Sequence, residues 1–215
     1  MKKIGILSTM LVLLVFLNSC LTTVHPIFTP ADLVYKPELI GTWKIVENKK
    51  EKWAEISRLA DADPRLLPGK TAANKDKGYL ITYKDSANTI SKRYIAFLAR
   101  IGKHLYFDYY PAALPVTSKM DEFYLAHFVK MHIPYRLELQ KEGGFTLSQL
   151  ESGYMNELIE QKKIRIRHEK KEDEGIVITA PTSELQQYIL KYGDDPEAYS
   201  GEKISFAKTI NPKLY

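Results

Sequence analysis

A single cysteine, Cys20, is present in 215 residues, so the chain can form no internal disulfide and carries no C-x-x-C redox or zinc motif. It also lacks G-x-S-x-G, H-E-x-x-H, a P-loop and G-x-G-x-x-G, the short signatures of common hydrolase, metalloprotease and nucleotide chemistry. The five histidines are scattered. His127 and His132 fall on one expected strand at an odd spacing, so they face opposite sides and cannot share a metal ion there. No metal and no cofactor are expected. Strong charge of one sign is missing too. The formal charge is +5, and setting aside Lys2 and Lys3 leaves 29 basic against 26 acidic residues. No basic run is long enough to make the clustered face that nucleic acid requires. Residues 49–52 and 170–174 mix signs and read as solvated turns.

The apolar stretch at 4–17 stops at 14 residues, short of the ~20 that a spanning helix needs. With Lys2 and Lys3 before it, it fits a secretory leader. Leu17-Asn18-Ser19-Cys20 then resembles the lipobox of bacterial lipoproteins. That resemblance implies thioether lipidation of Cys20, cleavage before it and acylation of the new N-terminus. One acyl chain binds a membrane only marginally, whereas two or three hold a protein there stably. The expected organisation is a signal peptide at 1–19, a lipidated cysteine and tether at 20–36, and one domain at 37–215. The tether reading rests on Pro26 and Pro30 and on the lack of periodicity. Leu21 after the cysteine points to the outer membrane of a bacterial envelope, since enteric-type retention in the inner membrane uses Asp there.

The rest alternates in the manner of strands. Residues 39–46 open the domain. Residues 78–84, 92–101 and 104–110 follow, the last two as a hairpin around Gly102-Lys103. Residues 123–133 and 135–139 continue to a Gly143-Gly144 turn, and 164–168, 176–179 and 203–210 complete the set, with Pro134 as an interruption. Helices are expected at 51–60, where Trp53, Ile56 and Leu59 recur, from 146 to 159, and after Pro181 with Leu185, Tyr188, Ile189 and Tyr192 on one side. Residues 61–77 read as a long loop. The fold class is therefore mainly β: an antiparallel barrel or strongly curved sheet with two or three short helices.

Gly41-x-Trp43, at the start of the first strand, resembles the GxW that opens lipocalin barrels. In such barrels an Arg of the last strand stacks over the Trp; here the last strand offers Lys203 and Lys208. The succession of residues 39–43, 93–100, 104–111, 178–188 and 194–199 is similar to a family of uncharacterised bacterial predicted lipoproteins. That resemblance implies envelope location and barrel architecture, and no catalytic residues.

Among 14 tyrosines, Tyr79, Tyr83, Tyr94, Tyr106 and Tyr109 fall on expected strands. With Trp43 they form the candidate ligand-binding set, because a tyrosine joins an apolar body to a polar tip. They equally suit a filled β core. His104 and Asp108 share a strand face and are the best acid–base pair on offer. Three readings follow: a barrel binding a small amphipathic ligand, a structural lipoprotein acting on an envelope protein, or an envelope hydrolase. The first two are favoured, and no enzyme activity is expected.

Overall fold

The computed structural model describes residues 20–47, 50–67, 69–84, 89–112, 129–141, 143–171 and 175–209. The leader, the expected strand positions 123–128 with His127, and Ile210 lie outside them.

In chain order the described strands are β1 (Thr22–Thr23), β2 (Gly41–Glu47), β3 (Lys50–Arg58), β4 (Gly78–Lys84), β5 (Ile90–Ile101), β6 (His104–Pro111), β7 (Ile133–Leu139) and β8 (Phe145–Leu150). Helix α1 (Ser152–Glu160), β9 (His168–Lys170), β10 (Ile176–Ile178), helix α2 (Thr182–Tyr192) and β11 (Tyr199–Lys208) complete them. Eight strands close an antiparallel barrel in the order β11-β2-β3-β4-β5-β6-β7-β8, and β1-β10-β9 form a small separate sheet. Of the two expected forms, barrel or strongly curved sheet, the mainly β chain takes the closed barrel.

Two cores lie on opposite faces of the barrel wall. Inside, Trp43 and Ile45, Ala54 and Ile56, Tyr79 and Ile81, Ala96 and Leu98, Phe107 and Tyr109, Phe145 and Leu147 follow the two-residue period of their strands. Outside, Ile95, Phe97, Ala99 and Ile101 of β5 and Tyr106 of β6 are buried under a second layer. Residues 95–99 are thus apolar without alternation because both faces of β5 are covered. Helix α2 supplies Leu185, Tyr188 and Ile189 to that layer, as its spacing required. It ends at Gly193, where a Cβ would lie 2.4 Å from the Ile189 carbonyl oxygen and 2.7 Å from the Tyr106 hydroxyl. Only glycine fits so close an approach.

The expected tether is part of the outer layer, a correction with a clear cause. Leu21, Ile27, Phe28 and Leu33 are buried in the outer core. The backbone of this strap is hydrogen-bonded along its length: Thr23 exchanges bonds with His132 at 3.0 and 2.8 Å, Val24 donates to Ile178 at 2.9 Å, and Val34 donates to Leu98 at 2.9 Å. Its apolar residues sit at irregular spacing because it crosses the barrel wall rather than joining its ladder. His25 sits in this ordered strap and lines an outer cavity. Pro134 is likewise no interruption. It lies within β7, just before the β7–β8 ladder begins at Tyr135↔Gln149, and beyond that start the Leu150 carbonyl accepts from the Leu21 N–H at 3.2 Å. Proline has no N–H to offer there, so the strap takes the acceptor.

Two expected helices are strands. In β3, buried Ala54 and Ile56 alternate with exposed Glu55, and seven residues pair with β2 from Gly41↔Ile56 to Glu47↔Lys50. Trp53, Ile56 and Leu59 fit a helical period over so short a window, but ladders on both edges decide the outcome. In the same way Phe145–Leu150 is β8, pairing with β7 and β11 to close the barrel, and the helix begins only after Glu151. The strand expected at 164–168 begins only at His168.

Candidate functional site

The barrel is filled at one end and hollow at the other. Strands β2, β4, β6 and β8 each alternate in direction with their neighbours, so Gly41, Arg58, Gly78, Ile101, Leu139 and Phe145 mark the filled end. Gly41 takes φ +141° there, which an L side chain rarely adopts, so the glycine of GxW is needed for its backbone angle. Trp43 follows, its Nε1–H donating to the Leu39 carbonyl at 2.9 Å. Its ring meets the Phe145 edge at 4.9 Å, and Phe145 stacks on Phe206 at 4.4 Å. Tyr79 closes the same end. Its hydroxyl accepts the Lys36 N–H at 2.7 Å and donates to the Lys36 carbonyl at 3.3 Å, with Tyr35 stacked on its ring at 5.3 Å. Burial pushes this hydroxyl above the ordinary tyrosine range and keeps it neutral.

Toward the other end the side chains leave space between them. A cavity of about 390 Å³ opens there, with Ile45, Leu147, Ile133 and Ile204 as apolar wall and Tyr83, Tyr94, Tyr109 and Tyr135 as a ring of phenols. Tyr109 is the centre of that ring. It meets Tyr94 at 5.8 Å and Tyr135 at 5.2 Å, both edge-on, and its hydroxyl lies 3.4 Å from that of Tyr83. Burial, and secondarily Tyr83, pushes the Tyr109 hydroxyl well above the ordinary range. Neutral phenols present donors and acceptors without charge. Charge comes from Lys52, Lys84 and Lys92, which line the same cavity. Lys84 is held by Glu55 at 2.9 Å.

The six residues expected to bind ligand are thus divided. Tyr83, Tyr94 and Tyr109 come together at the cavity, Trp43 and Tyr79 build the filled end, and Tyr106 points outward. Its hydroxyl lies 2.9 Å from that of Tyr199, which donates to the Gly193 carbonyl at 2.9 Å, so it fixes the end of α2. Tyr135, a strand tyrosine outside the candidate set, joins Tyr83, Tyr94 and Tyr109 at the cavity. Lys52 was hidden by the helical reading of β3.

His104 and Asp108 do not meet. His104 Nε2 lies 2.6 Å from Asp194 on the surface, and hydrogen bonds from His104 and Lys103 hold the Asp194 carboxyl below its usual range. Asp108 is fully buried beneath the strap, where one oxygen accepts the Ile27 N–H at 2.9 Å and the other lies 2.5 Å from His132 Nδ1. No sequence spacing could reveal His132 as its partner, because the contact depends on β6–β7 register. Among the described residues no cluster of three or more His, Cys, Asp or Glu is present that could hold a metal ion.

The geometry defines a closed, eight-stranded, lipocalin-like antiparallel barrel suited to binding a ligand or to a structural role. No family model, curated protein or solved structure matches the chain.

Proposed function

We propose that this protein is a bacterial envelope lipoprotein, anchored through lipid on Cys20, whose barrel binds a small amphipathic ligand. The observation that carries the binding reading is the half-filled interior: an apolar wall beneath a phenol ring with lysines beside it. A barrel of eight strands has room either to be filled by side chains or to hold one small ligand. This one does the first at the Trp43 end and leaves about 390 Å³ at the other, near the lower limit of small-molecule sites. The ligand that suits it has a short apolar body and a polar or anionic head. On this reading the molecule is a binding barrel rather than an enzyme.

The leader composition and Leu17–Cys20 support the anchor. The resemblance to predicted lipoproteins agrees with it, and Leu21 favours the outer membrane. A purely structural role, acting on an envelope protein, draws support from the dense packing of Trp43, Phe145 and Phe206.

Native mass spectrometry of the exported Cys20→Ser chain, purified without detergent, separates the two. A reproducible extra mass that denaturation releases supports the binding barrel and identifies the ligand class. A bare mass that envelope lipid extracts do not shift overturns it and leaves the structural reading.

A further inference from the structure

The strap fixes where the N-terminal chain joins the barrel. Cys20 bridges to Glu151, and Leu21 donates to the Leu150 carbonyl at 3.2 Å. Leu150 ends β8, far along the strand from the β7–β8 turn at the filled end. The chain therefore meets the barrel at the rim of the open end. Any membrane attachment at Cys20, or through the apolar stretch before it, draws that rim toward the bilayer.

The side chains around the same rim suit that neighbour. Ile90, at the start of β5, is 45% exposed, and Val129, just before β7, is 63% exposed. Lys92, two residues after Ile90 on β5, lines the cavity, and Lys130 follows Val129 on the outer side of the wall beside the strap, its ammonium 5.9 Å from the Tyr110 ring centre. Neither lysine has an anionic partner among the described residues. Exposed aliphatic side chains flanked by cations are the pattern of a protein surface that rests on anionic headgroups.

We propose that the open end lies against an anionic bilayer surface, with the cavity mouth turned to the lipid, so that ligand is exchanged with the membrane rather than with bulk water. The proposal rests on the anchored binding-barrel reading and adds its orientation.

The test uses full-length chains carrying Ile90→Cys or Leu139→Cys, each labelled with a polarity-sensitive thiol probe. Both positions are exposed, at opposite ends of the barrel. Lipid on Cys20 leaves the new cysteine as the sole free thiol of the anchored protein, and probe uptake by the parent chain without it measures any unlipidated fraction. The proteins are combined with phosphatidylcholine vesicles containing phosphatidylglycerol and a spin-labelled quenching lipid. The expected result is quenching several-fold stronger at 90 than at 139, reduced by Lys92→Glu with Lys130→Glu. Equal quenching, none, or more at 139 overturns the orientation. The mass of the N-terminal peptide is read on the same sample, so absence of lipid refutes the anchor separately. A barrel whose native mass is bare refutes ligand binding separately again.

Discussion

Lys208 holds its ammonium 5.8 Å from the centre of the Trp43 ring, and the two residues are register partners across β2 and β11. The first and last strands of the barrel are therefore joined by a cation over an aromatic face as well as by backbone hydrogen bonds. The resemblance to lipocalins called for an arginine at this place; a lysine occupies it. An ammonium over an indole contributes about 0.5–1 kcal/mol at an exposed site, while the buried Trp contributes far more. Lys208→Ala is expected to lower stability by about that amount and Lys208→Arg to preserve it. Trp43→Ala is expected to cost about 3–5 kcal/mol. Urea unfolding measures all three, and a Lys208→Ala midpoint equal to wild type would show that the contact contributes nothing.

Asp108 is the point where strap and barrel are locked. Removing its carboxylate in Asp108→Ala leaves the Ile27 N–H and the His132 Nδ1 position without their buried partner. Each stranded group costs about 1–3 kcal/mol. The loss should be local first: amide exchange should accelerate at Ile27 and Val24 while Ile81 and Phe107 in the barrel stay protected. Uniform acceleration would mean that the strap is not a separable layer. Asp108→Asn keeps an acceptor oxygen and should fall between the two.

These two relationships mark what was legible in the sequence. The strand runs at 78–84 and 92–110 and the turn between 101 and 104 are local, so the hairpin could be read directly, whereas the choice of inner face could not, because β4 and β5 are buried on both sides. The last strand could be read too, and with it a lysine available to Trp43. The strap could not be, because its apolar residues satisfy a surface formed by β5, β6 and α2, which is distant in sequence. The helix expected at 51–60 and the first part of the one expected at 146–159 are strands, because a few apolar residues fit both periods until pairing partners are known. Of the candidate site, the phenols were visible as a composition. Their division between cavity, plug and outer face depended on barrel closure.

Alkaline pH should destabilise the fold steeply. Burial raises the hydroxyls of Tyr79, Tyr106, Tyr109 and Tyr188 above the ordinary tyrosine range. The unfolded chain ionises at about pH 10, so below that both states hold their protons and the stabilisation is intact. Above it the unfolded state loses protons first, and stability falls until the folded pKa is reached. Each such tyrosine contributes at most about 1.4 kcal/mol per pH unit in that window. Urea midpoints measured from about pH 9 to about pH 11 should fall with a slope that Tyr106→Phe reduces. Tyr106→Phe also removes the bond to Tyr199, at about 1 kcal/mol, so the slope and not the midpoint is the diagnostic. A flat profile through this range would contradict the burial of these hydroxyls.

The lysines at the cavity make the sharpest claim about its ligand. Lys92 lines the mouth beside Tyr94 and has no salt-bridge partner among the described residues, whereas Lys84 is already bound to Glu55. An anionic head placed among the phenols would therefore find its counter-charge in Lys92. Lys92→Glu should weaken binding of a short fatty acid such as dodecanoate about tenfold, equivalent to about 1.4 kcal/mol, and leave a neutral alcohol of equal chain length unaffected. Lys141→Glu, on the exposed turn at the filled end, should change neither. Leu147→Trp, which projects into the cavity wall, should abolish both at a cost of about 1–3 kcal/mol in stability. Calorimetric titration at low and high salt distinguishes these cases. If the acid and the alcohol bind alike and Lys92→Glu spares both, the cavity reads shape and apolar area alone. If Leu147→Trp leaves binding unchanged, the ligand lies elsewhere on the molecule.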